Sequence, residues 1–199
     1  MVQAKGIDVS HHNGVVDWKA VAAAGVSFCF LKSNQGRSFV DWTFKDNAAR
    51  AKAAGIFVGA YHFFDPGYGA EEQAQNFLNT ISGVRLDLPP VLDWEMDGGD
   101  QSQVDVAQSW LNSVEAETKK TPIIYSFTSF LENIGLPSSF ARYPSWVASY
   151  EPEPHIVAPW TDYKFWQTSA SGVLHGVNKH FDVDLFNGTV DDLKKFAAA

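Results

Sequence analysis

The chain has 199 residues, of which 45% are apolar and 14% aromatic, and its formal net charge is -8. This length and composition suffice for one sizeable core and give no sign of a second, so residues 1–199 are expected to form a single domain. The acids are spread along the chain, which argues against nucleic acid as a partner and against a charge-driven membrane contact.

Cysteine content and the N-terminus say little about the compartment in which the protein works. The single cysteine, Cys29, cannot form an internal disulfide. The opening residues MVQAKGIDVS lack the apolar core of a signal peptide, and no apolar stretch approaches the ~20 residues of a membrane span. We therefore expect no export by the usual signal within these residues, although a leader already removed would leave the same sequence.

The first half of the chain repeats a unit made of a helix, a glycine and an apolar run. Gly25, Gly55 and Gly83 mark three such units and lie 30 and 28 residues apart, the length of one βα unit. Glycine is favoured just after a helix because it adopts the left-handed conformation at little cost. The runs that follow are apolar almost throughout, as is typical of parallel strands covered on both faces. The pattern predicts strands near 5–9, 26–32, 56–63, 90–95 and 122–126 and helices near 17–24, 42–54, 70–81 and 102–119.

After Phe127 the pattern changes. Short apolar and aromatic runs follow, SWVASY, YKFWQTS and KHFDVDLF, joined by Pro-rich or Gly-rich loops that are too short for full helices. The sequence therefore predicts an α/β barrel that finishes in several strands with few helices.

Polar side chains stand at the ends of most predicted strands. In parallel α/β barrels the reacting groups collect at the carboxyl ends of the strands, so these residues are expected to meet at one rim. They are Asp8, Lys32, Tyr61, His62, Asp93, Glu95, Tyr125, Tyr150, Gln167, Asp182 and Asp184.

The stretch PPVLDWE ends an apolar run with two carboxylates. Side chains two positions apart on a strand point to the same side, so Asp93 and Glu95 should lie together, while Trp94 should face a helix on the other side. Two acids placed there have no capping task and cost free energy without a role. The residues from Asp97 to Gly99 are expected to form only the turn that leaves the strand.

Other acids have a simpler interpretation. Asp17, Asp41 and Asp97 lie beside predicted helix starts or turns and are read as capping or turn residues. For Asp8 and Asp184 a capping or turn role stays open beside a functional one.

Clustered acids with aromatic neighbours favour glycoside hydrolysis. A glycosidase needs one carboxyl that stays protonated and a second group that stabilises positive charge on the sugar. Crowding raises the pKa of at least one acid, and aromatic rings pack against the C–H faces of sugars. A metal site built from His11, His12, His62 and the acids is the competing interpretation. It is disfavoured because adjacent histidines on an extended segment point to opposite sides, so neither a metal nor a cofactor is expected. No phosphate-binding loop or nucleophile elbow is present either.

The chain resembles the glycoside hydrolase family 25 lysozymes, the N-acetylmuramidases that cut peptidoglycan. The resemblance rests on motifs in the family's order that cover nearly the whole chain: KGIDVSHHNGVVDWKAV, FVDWTFKDNAARAKAAGIFVGAYHF, PPVLDWE, TPIIYSF, SWVASY, FWQTS and FDVDLFNG. It implies a modified TIM-like barrel of eight strands with a reduced set of about five helices. It also implies a bacteriolytic enzyme that hydrolyses the β-1,4 bond between N-acetylmuramic acid and N-acetylglucosamine.

The resemblance also implies roles for single residues. Glu95 would be the general acid and Asp93 its partner, while the substrate's own 2-acetamido group attacks the anomeric carbon. The expected catalytic group is Glu95, Asp93, Asp184 and Asp8, and the expected substrate-binding group is Tyr61, Tyr125, Trp166, Tyr150, Lys32 and His62. One departure is Gln35, which stands where relatives commonly carry a glutamate.

Two other functions remain open on the sequence: a wall-binding module without catalysis, and a chitinase-like hydrolase of N-acetylglucosamine polymers. The expected partner is bacterial cell-wall peptidoglycan, with no nucleic acid and no membrane, and the expected state is a monomer. Action would be extracellular, by a secreted mature enzyme or by a phage-type lysin released by another route. The spacing of Asp93 and Glu95 leaves a retaining or an inverting outcome open.

Overall fold

A closed barrel organises the chain. The structure is a computed structural model and describes residues 2–98 and 102–199. Nine strands in this part form one sheet, and eight of them make the barrel, which closes because β1 pairs with both β2 and β9. The strands are β1 (Lys5–Val9), β2 (Val26–Gln35), β3 (Phe39–Val40), β4 (Phe57–Phe63), β5 (Val91–Asp93), β6 (Ile123–Phe127), β7 (Ser145–Ala148), β8 (Phe165–Val173) and β9 (His180–Phe186).

Helices cover the outside of the barrel. The described residues form six α-helices, close to the number expected: α1 (Trp18–Ala23), α2 (Phe44–Ala53), α3 (Ala70–Ile81), α4 (Ser102–Thr118), α5 (Thr128–Ile134) and α6 (Val190–Ala198). The predicted TIM-like barrel is confirmed. No helix in this part of the chain is both long enough and apolar enough to span a membrane.

The repeated glycines end the helices as predicted. Gly25, Gly55 and Gly83 have φ angles of 86°, 83° and 76°, which is the left-handed region that glycine adopts at low cost. The chain can therefore leave each helix and enter the next strand within one or two residues.

Two strands differ in length from the prediction. Strand β2 runs to Gln35 instead of ending near residue 32, because Gly36 turns the chain and β3 pairs back onto β2 as a short hairpin. Strand β5 is shorter than predicted and ends at Asp93, although the Trp94 N–H still donates to the Tyr125 carbonyl at 3.0 Å. The hairpin thus extends beyond the rim two strands along the sheet from β5, which carries Asp93.

The barrel strands β1, β2 and β4 to β8 run parallel to one another, whereas β9 is antiparallel to both of its neighbours. This reversal puts Asp8 of β1 directly opposite Asp182 of β9, and Gln167 of β8 opposite Asp184. Acids that are far apart in the sequence therefore become neighbours on the inner face.

The barrel interior is filled by aromatic rings. Phe28 and Phe30 are fully buried there, and the rings of Phe30 and Phe165 lie 5.1 Å apart. Small residues on the neighbouring strands make room for them, since a Cβ atom at Gly6 would lie 2.2 Å from the Phe28 ring and one at Gly59 would lie 2.4 Å from the Phe30 ring. The lower barrel is therefore a packed core, and a cavity opens towards the carboxyl ends of the strands.

Candidate active site

A cavity of about 350 Å³ opens at the carboxyl ends of the strands. Its wall contains four carboxylates, one lysine and several aromatic rings. The lining residues are Asp8, Ser10, His12, Lys32, Tyr61, Phe63, Asp93, Glu95, Tyr125, Trp146, Tyr150, Gln167 and Asp182.

Asp93 and Glu95 form the first group of acids. Asp93 is 6% exposed, and its Oδ1 atom is buried with no hydrogen-bond partner among the described residues. Burial and the negative charge of Glu95 raise the pKa of Asp93 well above its ordinary value. Burial also raises the pKa of Glu95, which lies beyond the strand end and is less enclosed. This pair therefore retains a proton to higher pH than ordinary carboxyls do.

Lys32 stands beside this pair. Burial lowers the pKa of its ammonium group, while the charges of Asp93, Asp41 and Glu95 act in the opposite direction. The lysine in turn lowers the pKa of both Asp93 and Glu95. Its Nζ atom donates to Oε1 of Gln35 at 2.9 Å and lies 4.5 Å from the centre of the Phe63 ring. Because Gln35 is neutral, the charges that raise the pKa of this lysine are those of the acids.

Asp8, Asp182 and Asp184 form the second group of acids. Burial is the main cause of the raised pKa of all three, and repulsion from Asp184 and Asp182 adds to the rise at Asp8. The side chains of Asp8 and Asp182 share a hydrogen bond, which requires a proton on one of the two carboxyls. Asp184 is fully buried, and its Oδ1 accepts from Nε1 of Trp146 at 2.9 Å.

Gln167 links the second group of acids to two tyrosines. Its Nε2 atom donates to Oδ2 of Asp8 at 2.8 Å. Its Oε1 atom accepts from the hydroxyls of Tyr125 at 3.0 Å and of Tyr150 at 2.7 Å. Both phenolic protons are thereby directed at Gln167, so the tyrosine oxygens can offer only lone pairs to a molecule in the cavity.

The three predicted tyrosines all line the cavity. Tyr61 and Tyr125 are almost fully buried. Burial is the main cause that raises the pKa of both well above the ordinary value, and the negative charge of nearby carboxylates adds to the rise. Burial, with repulsion from Asp182 and Asp8, raises the pKa of Tyr150 to about 12. All three hydroxyls therefore stay protonated at neutral pH.

Two predicted contacts lie away from the cavity surface. Trp166 donates from Nε1 to the Ser149 carbonyl at 2.6 Å and is not among the lining residues. His62 is fully buried behind the barrel wall, where its ring stacks on Trp110 at 5.3 Å and its Nε2 lies 3.1 Å from Oε1 of Gln73. Burial lowers the pKa of His62 to about 3, so this side chain is neutral. Its side chain lies on the outer face of β4, since it alternates with Tyr61.

Asp184 also lies behind the cavity surface, beneath the Trp146 indole. Asp184 and Asp182 lie two positions apart on β9 and share a face, but the Trp146 indole of β7 donates to Oδ1 of Asp184, and Trp146 rather than Asp184 lines the cavity. Asp182 occupies the lining position instead. Of the second group of acids, Asp8 and Asp182 are thus the two that a substrate could touch.

Sequence reasoning left several lining residues out of the expected site. Gln167 and Asp182 were noted at strand ends without a role, Trp146, Ser10 and Phe63 were not singled out, and His12 was considered only for a metal site. The signal for Trp146 was its place in SWVASY, on the strand next to Tyr125, with which it is in register. Ser10 and His12 lie on the loop after β1 and had no pattern to mark them.

The local predictions for Trp94, for Asp17 and for the turn after β5 have different outcomes. Trp94 is fully buried on the outer side, donating to Gln103 of α4 at 3.3 Å, as expected. Asp17 caps α1 through the N–H groups of Lys19 and Ala20, which confirms its capping role. The predicted turn from Asp97 to Gly99 includes Gly99, which lies outside the described residues. Within the described ranges, no group of three His, Cys, Asp or Glu side chains is arranged to hold a metal ion.

Comparison with known proteins identifies the class of protein to which this site belongs. The sequence model of glycosyl hydrolases family 25 matches residues 7–177. The chain belongs to this family, and it is a glycoside hydrolase.

Individual relatives align with this chain over nearly its whole length. The chain is 38% identical to the uncharacterized protein YegX of Escherichia coli K12, covering 96% of this chain and 72% of that one. It is 32% identical to lysozyme M1 of Streptomyces globisporus, covering 97% of this chain and 71% of the other. The crystal structure of a bacterial lysozyme from Streptomyces coelicolor superposes with a TM-score of 0.90 at 31% identity, covering 99% of this chain and 98% of that chain.

Proposed function

We propose that residues 1–199 act as a single catalytic domain, a lysozyme that hydrolyses the β-1,4 bond between N-acetylmuramic acid and N-acetylglucosamine in bacterial peptidoglycan. The observation that carries the proposal is the pair Asp93 and Glu95, two carboxyls of raised pKa in one open cavity beside Lys32. Membership of a family that contains lysozymes supports the choice of substrate.

Glu95 is the proton donor in this proposal. It lies past the end of β5 and lines the cavity, so its carboxyl can meet the oxygen of a bound glycosidic bond. Burial raises its pKa, which keeps the proton available near neutral pH. As the bond between the anomeric carbon and the leaving oxygen breaks, the Glu95 proton passes to that oxygen.

Asp93 is the partner that handles the substrate's acetamido group. The carbonyl oxygen of that group bonds to the anomeric carbon as the leaving oxygen departs, and the amide N–H then needs an acceptor. Oδ1 of Asp93 is buried and has no partner among the described residues, so it is free to accept this hydrogen bond. Water then attacks the anomeric carbon, the bond from that carbon to the acetamido oxygen breaks, and one water proton passes to the Glu95 carboxylate, which gives a retained product.

The second group of acids shapes the opposite wall. Asp8 and Asp182 share a proton and face the cavity, while Asp184 acts as a positioning residue because it holds the Trp146 indole. Tyr61, Tyr125 and Tyr150 offer hydroxyl oxygens and ring edges to the sugar. Lys32 lowers the pKa of both acids in the first group. We place Trp166 and His62 as supports of the wall, because neither reaches the cavity.

The proposed setting is the outside of the bacterial cell, with cell-wall peptidoglycan as the partner. The chain would act there as a monomer, by secretion as a mature form or as a lysin released by another route. A net charge of -8 supports the absence of nucleic acid as a partner.

Clearing of a bacterial wall suspension tests the proposal. Wild type should lower the turbidity, whereas Glu95→Gln should lose at least a hundredfold in rate, because general acid catalysis is worth about 10²- to 10⁴-fold. Glu72→Gln is the matched control, since Glu72 lies exposed in the first turn of α3. Equal clearing by wild type and Glu95→Gln would remove Glu95 from the mechanism.

Proton NMR of the first-formed anomer tests the route. The acetamido route predicts the β-anomer as the first product of the β-linked substrate. A first-formed α-anomer would show that water attacks the anomeric carbon directly, which would overturn the role given to the acetamido group and to Asp93.

A further inference from the structure

An aromatic surface extends from the rim of the cavity across the β2–β3 hairpin. We call it the aromatic platform and define it as His12, His11, Trp42 and Phe39. The ring centres of His12 and His11 lie 3.9 Å apart, those of His11 and Trp42 lie 4.2 Å apart, and those of Phe39 and Trp42 lie 6.2 Å apart. His12 also lines the cavity, so the platform continues the cavity wall without a break.

The outer end of the platform is open to solvent. Trp42 is 70% exposed and Phe39 is 37% exposed. Large exposed apolar side chains that adjoin each other indicate a binding surface rather than ordinary surface composition. Here the surface lies on a hairpin that rises beyond the barrel and takes no part in closing it.

A buried carboxylate holds the platform in place. Asp41 is 2% exposed and stands next to Trp42 in the chain. Its Oδ2 accepts from the backbone N–H of His11 and lies 2.8 Å from Nδ1 of the same residue, while its Oδ1 accepts from the N–H and the hydroxyl of Thr43. Burial alone would raise the pKa of Asp41, but the hydrogen bonds from Thr43 and His11 outweigh it and lower the pKa.

This anchoring does more than cap the following helix. The bonds to Thr43 are the local contacts expected of a residue before a helix, but the bonds to His11 join the hairpin to the loop after β1, 30 residues away. Because both platform segments are tied to the same carboxylate, the rings are fixed relative to the cavity before any ligand arrives. Fixed aromatic rings lose little conformational entropy on binding.

We propose that the aromatic platform is a subsite for the glycan strand outside the catalytic cavity, where sugar units remote from the cleaved bond stack on Trp42. The inference rests on the proposed function, because its ligand is the same polymer. A polysaccharide fits better than an apolar partner because sugars combine C–H faces that pack on rings with hydroxyls that suit the polar rim of histidine nitrogens. Continuity with the cavity favours a strand that runs from one to the other.

The subsite gives the enzyme a preference for long strands. Contacts far from the reacting bond hold a polymer in register, so they act on long substrates and are missing for short ones. The quantity that reports the platform is therefore the ratio of kcat/KM on long strands to kcat/KM on short ones.

The test compares peptide-free glycan strands of four sugars with strands of eight or more. Trp42→Ala should lower the long-to-short ratio about tenfold, a size typical of one aromatic contact. Trp42→Tyr keeps an aromatic ring and should restore most of the ratio. Val40→Ala is the matched control, since Val40 is 45% exposed on the same hairpin, and its ratio should match wild type. An unchanged ratio in Trp42→Ala would overturn the proposal.

A binding measurement distinguishes failure of this inference from failure of the proposed function. Titration calorimetry with the long strands should give a Kd about tenfold weaker for Trp42→Ala than for wild type, whether or not the strands are cleaved. Wild type that binds long strands without cleaving them would contradict the proposed function alone. Equal affinities for wild type and Trp42→Ala would contradict the platform alone.

Discussion

The two groups of acids that face each other across the cavity differ in how their charge is controlled. Asp93 and Glu95 have Lys32 beside them, a cation that lowers the pKa of both. Asp8, Asp182 and Asp184 have no cation among the causes that set their pKa values and are held instead by neutral donors, namely Gln167 and Trp146. A carboxyl beside a cation can lose and regain a proton within a catalytic cycle, whereas carboxyls whose pKa is raised by burial and mutual repulsion, with no cation to offset the rise, keep theirs. The comparison therefore separates a reacting side from a supporting side.

Among the variants that compare the two sides, Asp93→Asn, which removes the partner acid, should produce the largest change. Asp93→Asn keeps the shape of the side chain but removes the anionic acceptor proposed for the acetamido N–H. We expect kcat to fall by about 10²- to 10³-fold, the range for loss of one electrostatic contact to a transition state. Steady-state kinetics on soluble glycan strands measures it, and thermal unfolding verifies that the variant folds. A fall in affinity with kcat preserved would place Asp93 in substrate binding only.

Removing the hydrogen bonds of the supporting side should lower the activity less than Asp93→Asn does. Gln167→Met keeps the length of the side chain but leaves Tyr125 and Tyr150 without their acceptor and Asp8 without a donor. Since the tyrosine oxygens would then reorient, kcat/KM should fall by roughly 10- to 100-fold. If Asp93→Asn and Gln167→Met lowered kcat by the same factor, the division into a reacting and a supporting side would be wrong.

The role of Lys32, the cation on the reacting side, can be tested through the pH dependence of kcat. Lys32 lowers the pKa of both Asp93 and Glu95, so Lys32→Met should raise both values. Glu95 then stays protonated to higher pH, and Asp93 ionises only at higher pH. Both limbs of the pH profile of kcat therefore shift to higher pH. Lys45→Met, at an exposed position on α2, is the control. Limbs that stay in place would show that Lys32 does not set the protonation of this pair.

The smallest effect concerns stability. Burial raises the pKa of Asp184, so the folded state holds this proton more tightly than the unfolded state does. Stability from this group is complete below the ordinary carboxyl pKa and is lost as pH rises through the folded pKa. Asp184→Asn removes that loss, and we expect it to raise the free energy of unfolding at pH 8 by about 1 kcal/mol relative to wild type. Denaturant unfolding at pH 5 and pH 8 measures it, with the exposed Asp105→Asn as control. A lower stability of Asp184→Asn at pH 8 would contradict the pKa direction.

The fold was readable from the sequence where the pattern was local. Gly25, Gly55 and Gly83 gave the βα period because each must take a left-handed conformation, and the apolar runs after them gave the strands. The hairpin that lengthens β2 was missed, since pairing of Gln35 with Phe39 depends on the turn at Gly36 and leaves no apolar run. The antiparallel course of β9 was missed as well, because strand direction depends on the connection and not on the strand.

The site was readable where acids end an apolar run. Asp93 and Glu95 stand out for that reason, and both line the cavity. The roles of Trp166, Trp146, Asp182 and Asp184 depend on which face of a strand turns inward, and the irregular register of β8 against β9 makes that hard to count from the sequence. The link from Asp41 to His11 spans two loops and carries no local signal, so the platform emerged only from the structure.

Mass spectrometry of the fragments released from purified peptidoglycan tests the central claim most directly. The account predicts soluble fragments whose reducing end is N-acetylmuramic acid, formed by wild type and absent with Glu95→Gln. Fragments that end in reducing N-acetylglucosamine would show that the cavity cleaves the other glycosidic bond, and would contradict the assignment of this barrel as a muramidase.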